Sequence, residues 1–135
     1  MANDKLLEIE IVTPQKTVFS GNARSITLPG TMAPFQVLYN HAPIVSSLEL
    51  GQIKIVDENN NEIFYATSHG FTEISRNVVS VLVETAENAA DIDSNEVSKL
   101  IEDLEKQLKD ADKIEAKTIK RQIEFNKNKL KVAGK

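Results

Sequence analysis

Leu28-Pro29-Gly30-Thr31-Met32-Ala33-Pro34-Phe35-Gln36-Val37-Leu38-Tyr39-Asn40-His41-Ala42-Pro43 sets three prolines, a glycine and an asparagine among apolar side chains. Proline has no backbone N–H to donate and its ring fixes φ, so neither a helix nor one continuous strand runs through this stretch. It reads as a rigid, partly apolar loop region of the kind a small domain shows to a partner. Phe35, Val37 and Leu38 have the character of core. Met32, Pro34, Tyr39 and His41 have the character of contact residues, because rigid or adaptable apolar groups favour interface centres.

On both sides of that stretch the hydrophobic period is two. Leu7, Ile9 and Ile11 alternate with Glu8 and Glu10; Arg24 to Leu28 and Gln52 to Ile55 alternate as well. Val79, Val81 and Val83 line one side of a later run, with Ser80 and Glu84 on the other. Alternation with one wet face is the pattern of antiparallel sheet. Ser20-Gly21-Asn22, Asp57 to Glu62 and Ser75-Arg76-Asn77 read as hairpin turns. Many short strands without an intervening helix predict an antiparallel β-sandwich or flattened barrel over about residues 1–87.

After Ala86 the period becomes 3.6, and residues 88–135 read as an antiparallel two-helix hairpin, which makes the fold class α+β. Asp93-Ser94-Asn95-Glu96 has the form of a capping box. Val97, Leu100, Ile101, Leu104 and Leu108 fall on one stripe about 100° wide. Lys109 to Asp112 reads as a short turn, with Asp112 capping a second helix from Lys113 to about Val132. That helix has a narrower stripe of Ala116, Ile119, Ile123 and Leu130. Beside it, Lys113, Lys117, Lys120, Lys127 and Lys131 share roughly 80° of arc. A solvated face and a contact surface for acidic side chains are both compatible with that arc, and salt weakens only the second. A hairpin this small, with so narrow a stripe, should owe its position to docking.

The net charge of −4 hides a split. Residues 1–108 carry 7 basic and 16 acidic side chains (−9), and residues 109–135 carry 9 and 4 (+5). The asymmetry suggests an acidic partner for the tail. Nucleic acid is a poor fit, since the tail's aromatic content is Phe125 alone and the rest is acidic. Apolar runs fall short of the ~18 residues of a membrane span. Met1 to Lys5 lacks the basic-then-apolar pattern of a secretory signal. Without cysteine there is no disulfide, thiolate metal site or cysteine nucleophile. His41 and His69 have no partner at metal-ligand spacing, Ser46, Ser47 and Ser68 lack a nucleophile-elbow context, and no glycine-rich phosphate loop is present. The chain reads as non-catalytic, with no cofactor.

The loop resembles a family signature, LPG-x(4)-F-x-V-L-x-x-HAP, of the epsilon subunit of the rotary F-type ATP synthase. Ser68-His69-Gly70-Phe71 is similar to that family's SGGF. Ala86-Glu87-Asn88-Ala89-Ala90-Asp91-Ile92-Asp93 is similar to its AE-x-A-x-x-ID, and all three come in the family's order. The resemblance covers essentially the whole chain. It implies a non-catalytic central-stalk rotor subunit of a proton-translocating enzyme, bound to the gamma subunit and resting on the c-subunit ring. The expected location is the cytoplasmic face of the bacterial inner membrane, peripheral and without lipid insertion. By position, Thr31, Met32 and Pro34, with Tyr39 and His41, correspond to the ring-facing loops. The family's hairpin folds down on the sandwich or extends toward the catalytic alpha and beta subunits and blocks hydrolysis. In the extended state its basic helix meets an acidic segment of beta, and the arc from Lys113 to Lys131 is the matching feature.

Departures accompany the likeness. Ala33, Gln36 and Asn40 stand where the family has glycines, and Tyr39 where it has proline. Some bacterial members bind ATP through I-D-x-x-R-A; here Ile92-Asp93-Ser94-Asn95 is followed by Glu96, whose carboxylate repels phosphate. ATP binding is therefore not expected. The alternative reading is a small-ligand-binding β-sandwich with the helices as a lid, which needs a pocket of convergent polar groups.

Overall fold

The computed structural model describes residues 5–134; the Met1–Asp4 start and Lys135 lie outside the described residues. The alternating run at the start forms β1 (Leu7–Val12), whose Leu7, Ile9 and Ile11 are fully buried. β2 (Thr17–Leu28) returns antiparallel to it. The expected turn at Ser20-Gly21-Asn22 does not form: these residues lie inside β2, opposite Glu10, Ile9 and Glu8. The reversal falls earlier, where the Thr13 amide and hydroxyl both bond to the Lys16 carbonyl, at 2.9 and 3.2 Å, around Pro14. Proline pre-sets the bend there, while a paired strand absorbs the glycine.

β3 (Phe35–Leu38) pairs with the second half of β2, followed by β4 (Ile44–Leu48), β5 (Gly51–Asp57) and β6 (Glu62–Thr67). β7 (Gly70–Ser75), β8 (Val78–Val83) and a short β9 (Ala86–Asn88) complete the sheet. The strand order is β4-β7-β8-β1-β2-β5-β6-β9, with β3 on β2, and β1 runs parallel to β8. β2 serves both layers of the resulting sandwich. An extra residue between Ala23 and Ser25 shifts its register against β5. Before that bulge Ala23 faces inward; beyond it Ile26 and Leu28 do, so the inward phase changes by one residue. The single core between the layers joins Leu7, Ile9 and Ile11 to Ile53, Ile55, Tyr65, Ile74, Val79, Val81 and Val83.

The other two turns form as read. Arg76 and Asn77 take φ of 53° and 65° between β7 and β8, the left-handed pair that suits a tight hairpin. In the β5–β6 turn Asn60 has φ 67°, and Asp57 Oδ1 accepts from the amides of Asn61 and Asn59 at 2.8 and 2.9 Å. Those backbone donors, the Asn61 amide foremost and with Arg24 nearby, hold the Asp57 carboxyl below its ordinary 3.8 despite some desolvation.

A 3-10 turn (Ala89–Asp91) leads to α1 (Ser94–Asp110) and α2 (Lys113–Ala133). Asp93 caps α1 by accepting from Asn95 and Glu96, at 3.0 and 3.2 Å. The return bond from the Glu96 side chain is not among the hydrogen bonds of the described residues, so half of the capping box forms. Asp112 caps α2 through Glu115 at 2.8 Å, and the turn narrows to Ala111-Asp112 because α1 runs on to Asp110. Val97, Ile101 and Leu104 pack against Ile119 and Ile123, with Leu108 and Leu130 at the edge. Leu100, assigned to the same stripe, is exposed, because two crossing helices cover a narrower strip than a flat wall does.

Two outcomes test this account. A Cβ on Gly70 would run into the Leu82 carbonyl and the Val83 backbone of the paired strand. Gly70→Ala should therefore lower stability by about 1–3 kcal/mol in urea unfolding. For Asp57, a carboxyl with a depressed folded pKa stabilises above its unfolded value and stops doing so as pH falls through the folded one. NMR titration should find it deprotonating below 3.8, and Asp57→Asn should remove that acid-side loss of stability.

Candidate functional site

The outer face of β4-β7-β8-β1 carries apolar groups that the core does not use. Register sets Val12, Leu82, Phe71 and Ser47 side by side across four strands. Phe71 is 62% exposed and Leu82 58%, and Val45, two residues before Ser47 and on the same face, is 72% exposed. A groove of about 600 Å³ opens along this row, walled by Val12, Phe71, Leu82 and Val83 and reaching His69 and Glu84 at one end. Its wall is apolar with few converging polar groups, which suits a docked surface better than a small ligand.

The proline-studded loop meets this row at one end. Thr31 Oγ1 and Ser47 Oγ lie 2.8 Å apart, the Thr31 amide donates to the Ser47 carbonyl at 3.1 Å, and Gly30 bridges Leu48. A Cβ on Gly30 would press on the Ala33 carbonyl and the Phe35 ring at 2.7 and 2.8 Å, so the turn needs glycine there. Met32 stands at the tip, 98% exposed, with Pro34 exposed beside it.

Tyr39 and His41 are placed differently. They lie beyond β3 and just before the start of β4, whereas Thr31 is tied to the end of β4. The two groups thus flank strands of four and five residues, roughly 13–16 Å long. Tyr39 is exposed, His41 is half-buried, and His41 Nδ1 lies 2.7 Å from the Ala42 carbonyl, which holds the loop. Asn40 has φ 67° and its amide donates to Asn77 Oδ1 at 2.6 Å. The left-handed backbone explains why a glycine suits that position and why asparagine replaces it at little cost. Val37 is buried and Phe35 packs on the core; Leu38, read as core, is exposed because β3 has its outer phase open to solvent.

On α2, Lys113, Lys117, Lys120, Lys127 and Lys131 are all exposed. Among the described residues ion pairs join Lys54 to Glu62 and Lys129 to Glu87. Glu96 is exposed in the first turn of α1. No group of three potential metal ligands and no helix long and apolar enough to cross a membrane occurs among the described residues.

Residues 6–89 match the family described as ATP synthase, Delta/Epsilon chain, beta-sandwich domain. Over 102 residues the chain is 39% identical to the ATP synthase epsilon chain of Desulfosudis oleivorans, covering 76% of this chain and 77% of that one. This chain belongs to the ATP synthase epsilon-chain family. It is 36% identical to the epsilon chain of Rickettsia felis (78% and 96% covered) and 34% identical to that of Brevibacillus brevis (76% and 77%). Its fold is similar to a chain in the cryo-EM structure of Euglena gracilis mitochondrial ATP synthase, OSCP/F1/c-ring, in rotational state 1. That likeness has a TM-score of 0.78 at 17% identity, over 95% of this chain and 84% of that one. A chain of the Tetrahymena thermophila central stalk and c-ring gives a TM-score of 0.52, also at 17% identity, over 63% and 68%.

In the alternation of β8, Leu82 of this epsilon chain falls in the wet phase with Ser80 and Glu84, which hides the apolar row from a reading by periodicity. An apolar residue out of phase was the available signal. Because Met32 and the five lysines are exposed, Met32→Ala and each single Lys→Gln variant should stay within about 0.5 kcal/mol of the parent in urea unfolding. Functional losses in them then report on partners and not on folding.

Proposed function

We propose that this chain is a non-catalytic rotor subunit of a bacterial, proton-translocating F-type ATP synthase, with a sheet module at residues 1–87 and a movable hairpin at 88–135. The sheet module joins the gamma subunit to the c-subunit ring, and the hairpin restrains ATP hydrolysis by the alpha and beta subunits. The observation that carries the reading is the exposed row of Val12, Leu82 and Phe71 with Val45, on a sheet whose core is already complete. Burying such a row removes apolar surface from water at about 25 cal/mol per Å² and requires no change in the sandwich. We assign gamma to that row. The ring-facing contacts fall to Thr31, Met32 and Pro34, with Tyr39 and His41, polar and apolar groups that suit a peripheral attachment at the cytoplasmic face of the membrane. The exposed lysine arc on α2 is free to meet acidic side chains when the hairpin extends.

Two experiments test the reading. Phe71→Ser combined with Leu82→Ser should abolish copurification with gamma while leaving the fold intact; retained binding would remove gamma from that face. Truncation after Ala90 should leave assembly unchanged and raise ATP hydrolysis by the complex severalfold, and an unchanged rate would end the inhibitory role alone.

A further inference from the structure

Each hydrophobic cluster closes on itself: the sandwich around Leu7, Ile9 and Ile55, the hairpin around Val97, Ile101 and Ile119. Where the two meet, polar ties are mixed with the buried side chains of Ala66 and Val132. Register aligns Gln52 of β5, Ala66 of β6 and Glu87 of β9 in one row. Their neighbours Ile53 and Tyr65 point into the core, so this row faces outward, toward α2. Lys129 Nζ sits 2.7 Å from Glu87 Oε1 and 5.3 Å from the centroid of the Phe125 ring. Asn128 Nδ2 donates to the Gly51 carbonyl at 2.8 Å, and Val132, a member of neither cluster, is buried. Against these ties stands one amide oxygen, Gln52 Oε1, shut from solvent without a hydrogen-bond partner. Asn126 Oδ1 is unpaired as well, but Asn126 shares the helical stripe of Ile119, Ile123 and Leu130 that packs on α1 and lies outside this contact. The Thr67 hydroxyl is also unpaired, but it shares the core-facing phase of Tyr65 and lies outside this contact.

We propose that this seam is a tuned latch, in which Asn128 and Lys129 hold the hairpin down while the stranded oxygen of Gln52 keeps the docked state shallow. Opening hydrates that oxygen and uncovers Ala66 and Val132 as its apolar cost, and the hairpin keeps its own core. A buried acceptor without a donor carries its full desolvation cost, so its relief on opening works directly against the hydrogen bond and the ion pair. The latch rests on the function proposed above only in assigning the docked form as the one that does not inhibit.

The full chain has no cysteine, so spin labels can be placed uniquely at Asn59→Cys in the β5–β6 turn and Lys113→Cys at the hairpin tip. Pulsed electron resonance then reads the ratio of open to docked molecules. Lys129→Met and Asn128→Ala should each raise that ratio roughly three- to tenfold, the range of one hydrogen bond or partly exposed ion pair. Gln52→Leu, close in size and free of the stranded oxygen, should lower it by a similar factor. Should Gln52→Leu lose the circular dichroism of the parent, Gln52→Met supplies the same relief at the same position. A ratio that stays put in the Lys129 variant, or in the relieving variant that folds, overturns the latch. If the distances respond but hydrolysis by the assembled complex does not, the latch stands and the inhibitory reading falls.

Discussion

Between Ala23 and Ser25 the second strand carries one residue more than its partner, and the consequences spread through the whole sandwich. A strand that kept strict alternation would present Ala23, Ser25 and Thr27 to the core. The extra residue instead turns Ile26 and Leu28 inward, and it lets one strand belong to both layers. Arg24, at that point, reaches the Glu58 carbonyl at 3.2 Å and ties the bend to the β5–β6 turn. The exposed surfaces of the sheet and its loops are held by a core that depends on this change of phase.

A completed core explains why apolar groups can remain outside. Val12, Leu82 and Phe71 lie across neighbouring strands with their backs to a closed layer of Ile74, Val79 and Val81. Exposing them adds nothing to folding, and a contiguous row on a small monomer invites association. The Thr31–Ser47 contact fixes the neighbouring loop at the end of the same row. Sheet face and loop are therefore parts of one rigid body.

The helical half follows a different economy. Its side chains close a small core of their own, and its contact with the sheet combines an ion pair, one side-chain hydrogen bond and a buried valine. Polar contacts of this kind exchange for water at small net free-energy difference, whereas separating a shared hydrophobic core does not. A body that stays whole on release, held by replaceable contacts, is what a switch requires.

Periodicity alone was enough for the α+β class, the antiparallel pairing of the helices and both helix caps, because local side-chain spacing and capping chemistry are short-range effects. The turn at Arg76-Asn77 was legible for the same reason. Ser20-Gly21-Asn22 misled, since pairing with β1 overrides the local preference of a glycine, and Leu38 misled because burial depends on what lies opposite. The loop from Leu28 to Pro43 announced itself as a presented segment. Only the fold showed that it divides around β3, with Thr31 tied to Ser47 and Tyr39 placed far along the strand. The Phe71–Leu82 row and the Gln52–Ala66–Glu87 row were likewise decided by register between segments distant along the chain. A strand carries its alternation in its own residues, but which neighbours stand beside it is a property of the assembled sheet.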